Sequence, residues 1–191
     1  MRSMLTGRRS LGPAAGADVV RMKLMIRIEH VLESWKAVRA DVAQAVLDMP
    51  EGQMKYRATP DLMTFEELAR HILFAGRGLA GMLLDGENDL TAPDAREKMK
   101  RYFPALPETL TPADLAVELT KGVDADCGAL AAKPASFYAE MMKRFDGQEI
   151  TRLEMLLFTK EHELTHRSQM FTYLRMQGVV PPTTRRKMAK K

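Results

Sequence analysis

Apolar residues recur at intervals of three and four through most of this chain, a spacing that suits helices and not strands. From Val19 to Asp48, the series Leu24, Ile28, Val31, Trp35, Val38, Val42, Ala45 and on to Met49 would lie along one side of a helix. Met49-Pro50-Glu51-Gly52 stops it, because proline cannot continue the hydrogen-bond ladder and glycine favours a turn. A second helix is predicted from Thr64-Phe65-Glu66-Glu67, where threonine and the glutamate three residues later form a capping box. It runs through Leu68, His71, Ile72, Ala75, Leu79 and Met82 to Leu84. Thr111-Pro112 opens a third, with threonine at the cap and proline at the first position, reaching about Ala132. Thr151-Arg152-Leu153-Glu154 is a second capping box and launches a fourth, which Gly178, Pro181 and Pro182 terminate.

Between these patterns, residues 86–110 read as loop with room for a short helix over 94–102. Residues 137–145 fit either a helical turn or an extended stretch. No other segment reads as a strand, and no repeat of fixed period is present. Four amphipathic helices joined by short to medium loops predict an all-α fold, a four-helix bundle over residues 19–182. A disordered basic lead is expected over 1–18 and a basic tail over 183–191.

Charge supports that division. The net charge is +4, but Arg2, Arg8 and Arg9 lie in the lead, and Arg185, Arg186, Lys187, Lys190 and Lys191 lie in the tail. Without these eight residues the chain carries −4, so its basicity belongs to its ends. A nucleic-acid partner would require a basic face on the folded body and is not expected. No run approaches the ~20 apolar residues that span a bilayer. The apolar stretch after Arg9 is too short and broken for a signal peptide. Cys127 is the only cysteine, which excludes an internal disulfide and suits a reducing compartment. The expected location is the cytoplasm.

The chemistry concentrates in the histidines, of which there are four: 30, 71, 162 and 166. His162 and His166 are four apart on one helix, a spacing that stacks two rings on one face within reach of one metal ion. His71 shares the apolar stripe of the second helix and should point inward. Three inward imidazoles from two helices suit a divalent Zn, Ni, Fe or Mn ion with coordination positions left open. His30 flanks the stripe of the first helix and is expected at the surface.

His162-Glu163-Leu164-Thr165-His166 also matches H-E-x-x-H, in which Glu163 would be the general base of a zinc protease. The context argues against a protease. No His, Asp or Glu follows His166, Gln169 and Thr172 stand where a metzincin has glycine and histidine, and the strand-bearing part of such a fold is missing. Glu163 also lies about 100° round the helix from His162. Glu67, Thr159 and Gln169 stand one turn from a histidine and could each hydrogen-bond an imidazole's other nitrogen. Tyr173 is further along the His166 face and could line a pocket. Met155 and Met170, near that face, could make the pocket apolar.

Glu67-Leu-Ala-Arg-His71, Glu161-His162-Glu-Leu-Thr-His166-Arg-Ser-Gln169 and Tyr173-Leu-Arg-Met-Gln-Gly178 together resemble the DinB/YfiT-like family over about residues 22–182. Ser168 departs from the family's usual glycine before the glutamine. The resemblance implies an up-down-down-up bundle, a metal held by His71, His162 and His166, a small-molecule substrate and often a homodimer. Three functions are compatible with it: a metal-dependent transferase using a low-molecular-weight thiol, a metal-dependent hydrolase, and a non-enzymatic metal-binding dimer of the stress response.

Overall fold

The computed structural model describes residues 26–190. The lead expected over 1–18 and the first residues of the predicted first helix lie outside that range. Helix α1 spans Ile28–Asp48, α2 Phe65–Leu84, α3 Ala95–Lys100, α4 Pro112–Ala131 and α5 Ala135–Ala139. A hairpin of β1 (Met141–Lys143) and β2 (Glu149–Thr151) precedes α6, Arg152–Met176, and α7, Pro182–Met188.

Both capping boxes form as the sequence predicts. The Thr64 hydroxyl accepts from the Glu67 amide while Glu67 accepts from the Thr64 amide, and Thr151 and Glu154 do the same. Thr111 caps α4, with Pro112 in its first turn. Among the described residues helix α1 begins at Ile28; the predicted stretch from Val19 to residue 25 lies outside them. Arg27 is extended and offers no side-chain cap, and Ile26 is 47% exposed.

Four long helices, α1, α2, α4 and α6, make the bundle. Cys127 of α4 lies against Leu32, and Leu119 against Arg39, so α4 runs antiparallel to α1. Arg77 of α2 pairs with Asp126 of α4, and Lys133 reaches the Leu84 carbonyl, so α2 and α4 run parallel. His71 lies against His162, and Tyr173 bonds to Met63, so α2 and α6 are antiparallel. The order is therefore up-down-down-up, with α1 and α2 each in contact with α4 and α6. Two apolar clusters fill the interior. One is built around Val42, Leu68, Leu119 and Leu174, the other around Trp35, Leu83, Leu130 and Leu156.

The stretch 137–145 resolves into the end of α5 and strand β1. That strand pairs antiparallel with β2, Met142 opposite Ile150, and Gly147 (φ +83°) makes the turn. Strand β1 falls in the stretch left open to an extended reading, whereas β2 corrects the expectation of no strand elsewhere; three residues are too short to show a period of two. The basic stretch at the C-terminus is folded onto the bundle over most of its length. Pro182 opens the short helix α7, whose Arg185 pairs with Asp48 at 2.6 Å and Arg186 with Asp41 at 2.7 Å. Among the described residues, no helix is long and apolar enough to cross a membrane.

Candidate metal centre

His71 sits in the middle of α2, and His162 and His166 one turn apart on α6. All three are half-buried where the two helices face each other. The Nε2 atoms of His71 and His162 are 3.2 Å apart, and those of His166 and His162 are 3.1 Å apart. Each residue offers one nitrogen within 4.8 Å of the other two. Two nitrogens about 2.0–2.1 Å from a shared Zn²⁺ would lie roughly 2.9–3.4 Å apart at angles of 90–109°. Both separations from His162 fall in that interval and the third lies within 4.8 Å, so this donor set fits a divalent ion. His30, on α1, is exposed and is not part of the cluster.

Burial and the neighbouring His166 and His71 imidazoles push His162 down to about 4 from 6.5. Burial, then His166, also lowers His71. Both rings are thus neutral at pH 7, the form whose lone pair binds metal. In the window from 6.5 down to 4, an unfolded His162 takes a proton that the folded one refuses. The unfolded state then binds more protons, and this contribution to stability is lost as pH falls. Metal-free protein is therefore expected to lose stability from pH 7.5 to pH 5 more steeply than His162→Gln. Urea midpoints at the two pH values measure it; equal slopes would contradict the assignment.

Glu163, the acid of the H-E-x-x-H match, turns the other way. It is 2% exposed, and its Oε1 accepts from Arg39 Nε at 2.5 Å. Its Oε2 accepts from Trp35 Nε1 at 2.7 Å and from Arg39 Nη2 at 2.8 Å. Arg39 also donates to the backbone carbonyls of Leu119 and Ile72, so its guanidinium ties α6 to α1, α2 and α4. Room for it comes from Gly76, where a Cβ would collide with Arg39 Nη2. The carboxylate has three donors and faces away from the histidines, an arrangement that removes it as a general base.

The DinB family model matches residues 22–190. The chain belongs to the DinB family. Solved structures share the DinB bundle. One is a DinB-like protein of Bacillus subtilis, 17% identical with a TM-score of 0.61, matched over 78% of this chain and 92% of that one. Another is YfiT of Bacillus subtilis, described as a probable metal-dependent hydrolase with an unusual four-helix bundle topology. It is 14% identical with a TM-score of 0.61, over 91% of this chain and 94% of that one. A third is a mycothiol-dependent maleylpyruvate isomerase, 15% identical with a TM-score of 0.56, over 76% of this chain and 61% of that one. At these identities the likeness is one of fold. No curated protein matches the sequence.

Of the residues expected to orient the DinB histidines, only Gln169 does so. Its Oε1 lies 2.8 Å from His166 Nδ1. Accepting that N–H fixes the tautomer and leaves Nε2 free to point at the other rings. Glu67 is spent on the capping box and is exposed, beside Arg57, because a helix-start acid satisfies the nearest amide first. Thr159 donates to the Met155 carbonyl of its own helix. Tyr173 is buried, donates to the Met63 carbonyl at 3.1 Å and lines a groove together with Gln169. Met155 and Met170 are fully buried in the core; the methionines in that groove are Met63 and Met176. Sequence reasoning missed Arg39 and Trp35. The available signal was an arginine set inside the apolar stripe, four residues after Trp35 and three before Val42.

Proposed function

We propose that this chain is a divalent-metal-dependent transferase that works with a low-molecular-weight thiol and a small-molecule acceptor. The observation that carries the reading is a site of three imidazoles whose adjacent carboxylate, Glu163, is sequestered by Arg39 and Trp35. Three neutral ligands leave the charge of a divalent ion uncompensated, which favours an anionic fourth ligand. A divalent ion held there would supply Lewis acidity, and a thiol that coordinates it is deprotonated at neutral pH.

The residues of the chain have narrower tasks. His71, His162 and His166 would hold the ion, and Gln169 orients His166. Arg39 and Trp35 keep the Glu163 charge out of the site. Cys127 is buried, and burial pushes its thiol up to about 12. It is therefore inert, and the reacting thiol must come from outside. A hydrolase built on this site would have to work without Glu163 as its base. A homodimer, as the resemblance implies, belongs to the same reading, and sedimentation would measure it.

The test is loss of free thiol when protein loaded with Zn²⁺, Ni²⁺, Fe²⁺ or Mn²⁺ meets glutathione or cysteine and a panel of electrophiles. Consumption above the protein-free rate, abolished in His162→Ala, is the expected result. No consumption with any metal, alongside turnover of nitrophenyl esters, would transfer the site to hydrolysis.

A further inference from the structure

A groove of about 280 Å³ runs along the α2–α6 seam, lined by Met63, Leu68, Thr172, Tyr173 and Met176. Gln169, which holds His166, also lines it, and Leu68 is one turn from His71 on α2. Because α2 and α6 are antiparallel, the groove runs from Gln169 and Leu68, each about one turn from a histidine, toward the start of α2. Its wall is rigid. The Tyr173 hydroxyl is fixed by the Met63 carbonyl, and its ring meets the Tyr56 ring edge-on at 5.5 Å. At the outer end Leu62, Met63 and Met176 are 41%, 37% and 55% exposed. Three large apolar side chains facing water at one mouth are a feature the bundle does not need for its own core.

We infer that this groove holds the apolar group of the acceptor substrate while the reacting end of that molecule lies at the three histidines. The inference rests on the metal-site reading above. Two arguments select this occupant. Two of the groove's lining residues adjoin the histidine ligands, Gln169 by its bond to His166 and Leu68 one turn before His71, so a molecule seated in it has one end within a turn of the cluster. Low-molecular-weight thiols are strongly polar, and this lining is mostly apolar, so the groove suits the electrophile and not the thiol. A dry cavity of about 150 Å³ admits benzene, so this volume takes an aromatic ring with a short linker or a medium alkyl chain. Hydrophobic electrophiles are therefore the substrate class.

The test uses straight-chain hydroxamic acids as probes, from acetohydroxamic to octanohydroxamic acid, titrated calorimetrically into the Zn²⁺-loaded protein. A fully buried methylene tightens binding about fourfold. In a half-open groove each added methylene is expected to tighten it roughly two- to threefold. Thr172→Trp, which fills the groove from an exposed position, should flatten that dependence. The slope against chain length is the readout, because a change in the metal site moves all probes together. The Met63 and Met176 methyl signals should also shift with octanohydroxamic and not acetohydroxamic acid.

Binding of acetohydroxamic acid with no gain from longer chains would overturn the groove assignment while leaving the metal site intact. If Zn²⁺-loaded protein binds none of the probes, the metal-site reading fails and this inference falls with it. A flat slope together with a dimer that Thr172→Trp dissociates would give the groove to a second copy of the chain.

Discussion

Replacing Arg39 by alanine is expected to destabilise the bundle by about 3–5 kcal/mol, the cost of breaking a buried ion pair by removing one partner. Arg39 is 0% and Glu163 2% exposed, so water cannot replace the lost donors. The substitution leaves the Glu163 carboxylate with Trp35 Nε1 alone and orphans the hydrogen bonds to Leu119 and Ile72. It also removes one of the two cations that partly offset burial at Asp126, whose carboxyl is pushed up to about 7. An apolar pair, Arg39→Met with Glu163→Leu, should recover much of the loss, because desolvation of both charges disappears with them. Denaturant unfolding of the single and double variants measures this. A single variant within about 0.5 kcal/mol of wild type would show that the clamp does not hold the helices.

Metal binding should have a comparable effect in the opposite direction. Zn²⁺ at roughly 1,000 times its Kd stabilises a folded protein by about 4 kcal/mol. In a domain of this size each kcal/mol moves Tm by about 2–4 °C, so a rise of roughly 8–16 °C is expected. His162 supplies the nitrogen nearest to both others. His162→Ala should therefore abolish most of the rise while leaving the metal-free Tm close to wild type, since the ring is only half-buried. Calorimetry with and without metal gives both numbers. An equal rise in the variant would place the ion elsewhere.

The bundle and its histidine cluster were legible because both follow from helical periodicity. Capping boxes at Thr64 and Thr151 mark helix starts through local chemistry, and they form as the spacing predicts. His71, His162 and His166 converge because an i,i+4 pair and an inward residue on a facing helix can share one point in space. What depends on long-range pairing was not legible. Glu163 and Arg39 are 124 residues apart, and nothing near Glu163 announces a buried cation on α1. Glu67 stands at a suitable distance from His71 in sequence, but the helix start claims its carboxylate. Helix α7 escaped notice because its residues are basic and polar. Its attachment is ionic, through Asp41 and Asp48, and leaves no apolar stripe to read.

If the three imidazoles from two helices form one metal site, metal content shows it most directly. Protein purified without an affinity tag, then dialysed, should carry about one equivalent of a divalent transition metal, as expected for one three-histidine centre. His71→Ala and His162→Ala should each retain little of it, although these residues lie on different helices. Wild-type protein that takes up no Zn²⁺, Ni²⁺, Fe²⁺ or Mn²⁺, or a His71→Ala variant that keeps its full equivalent, would contradict the account.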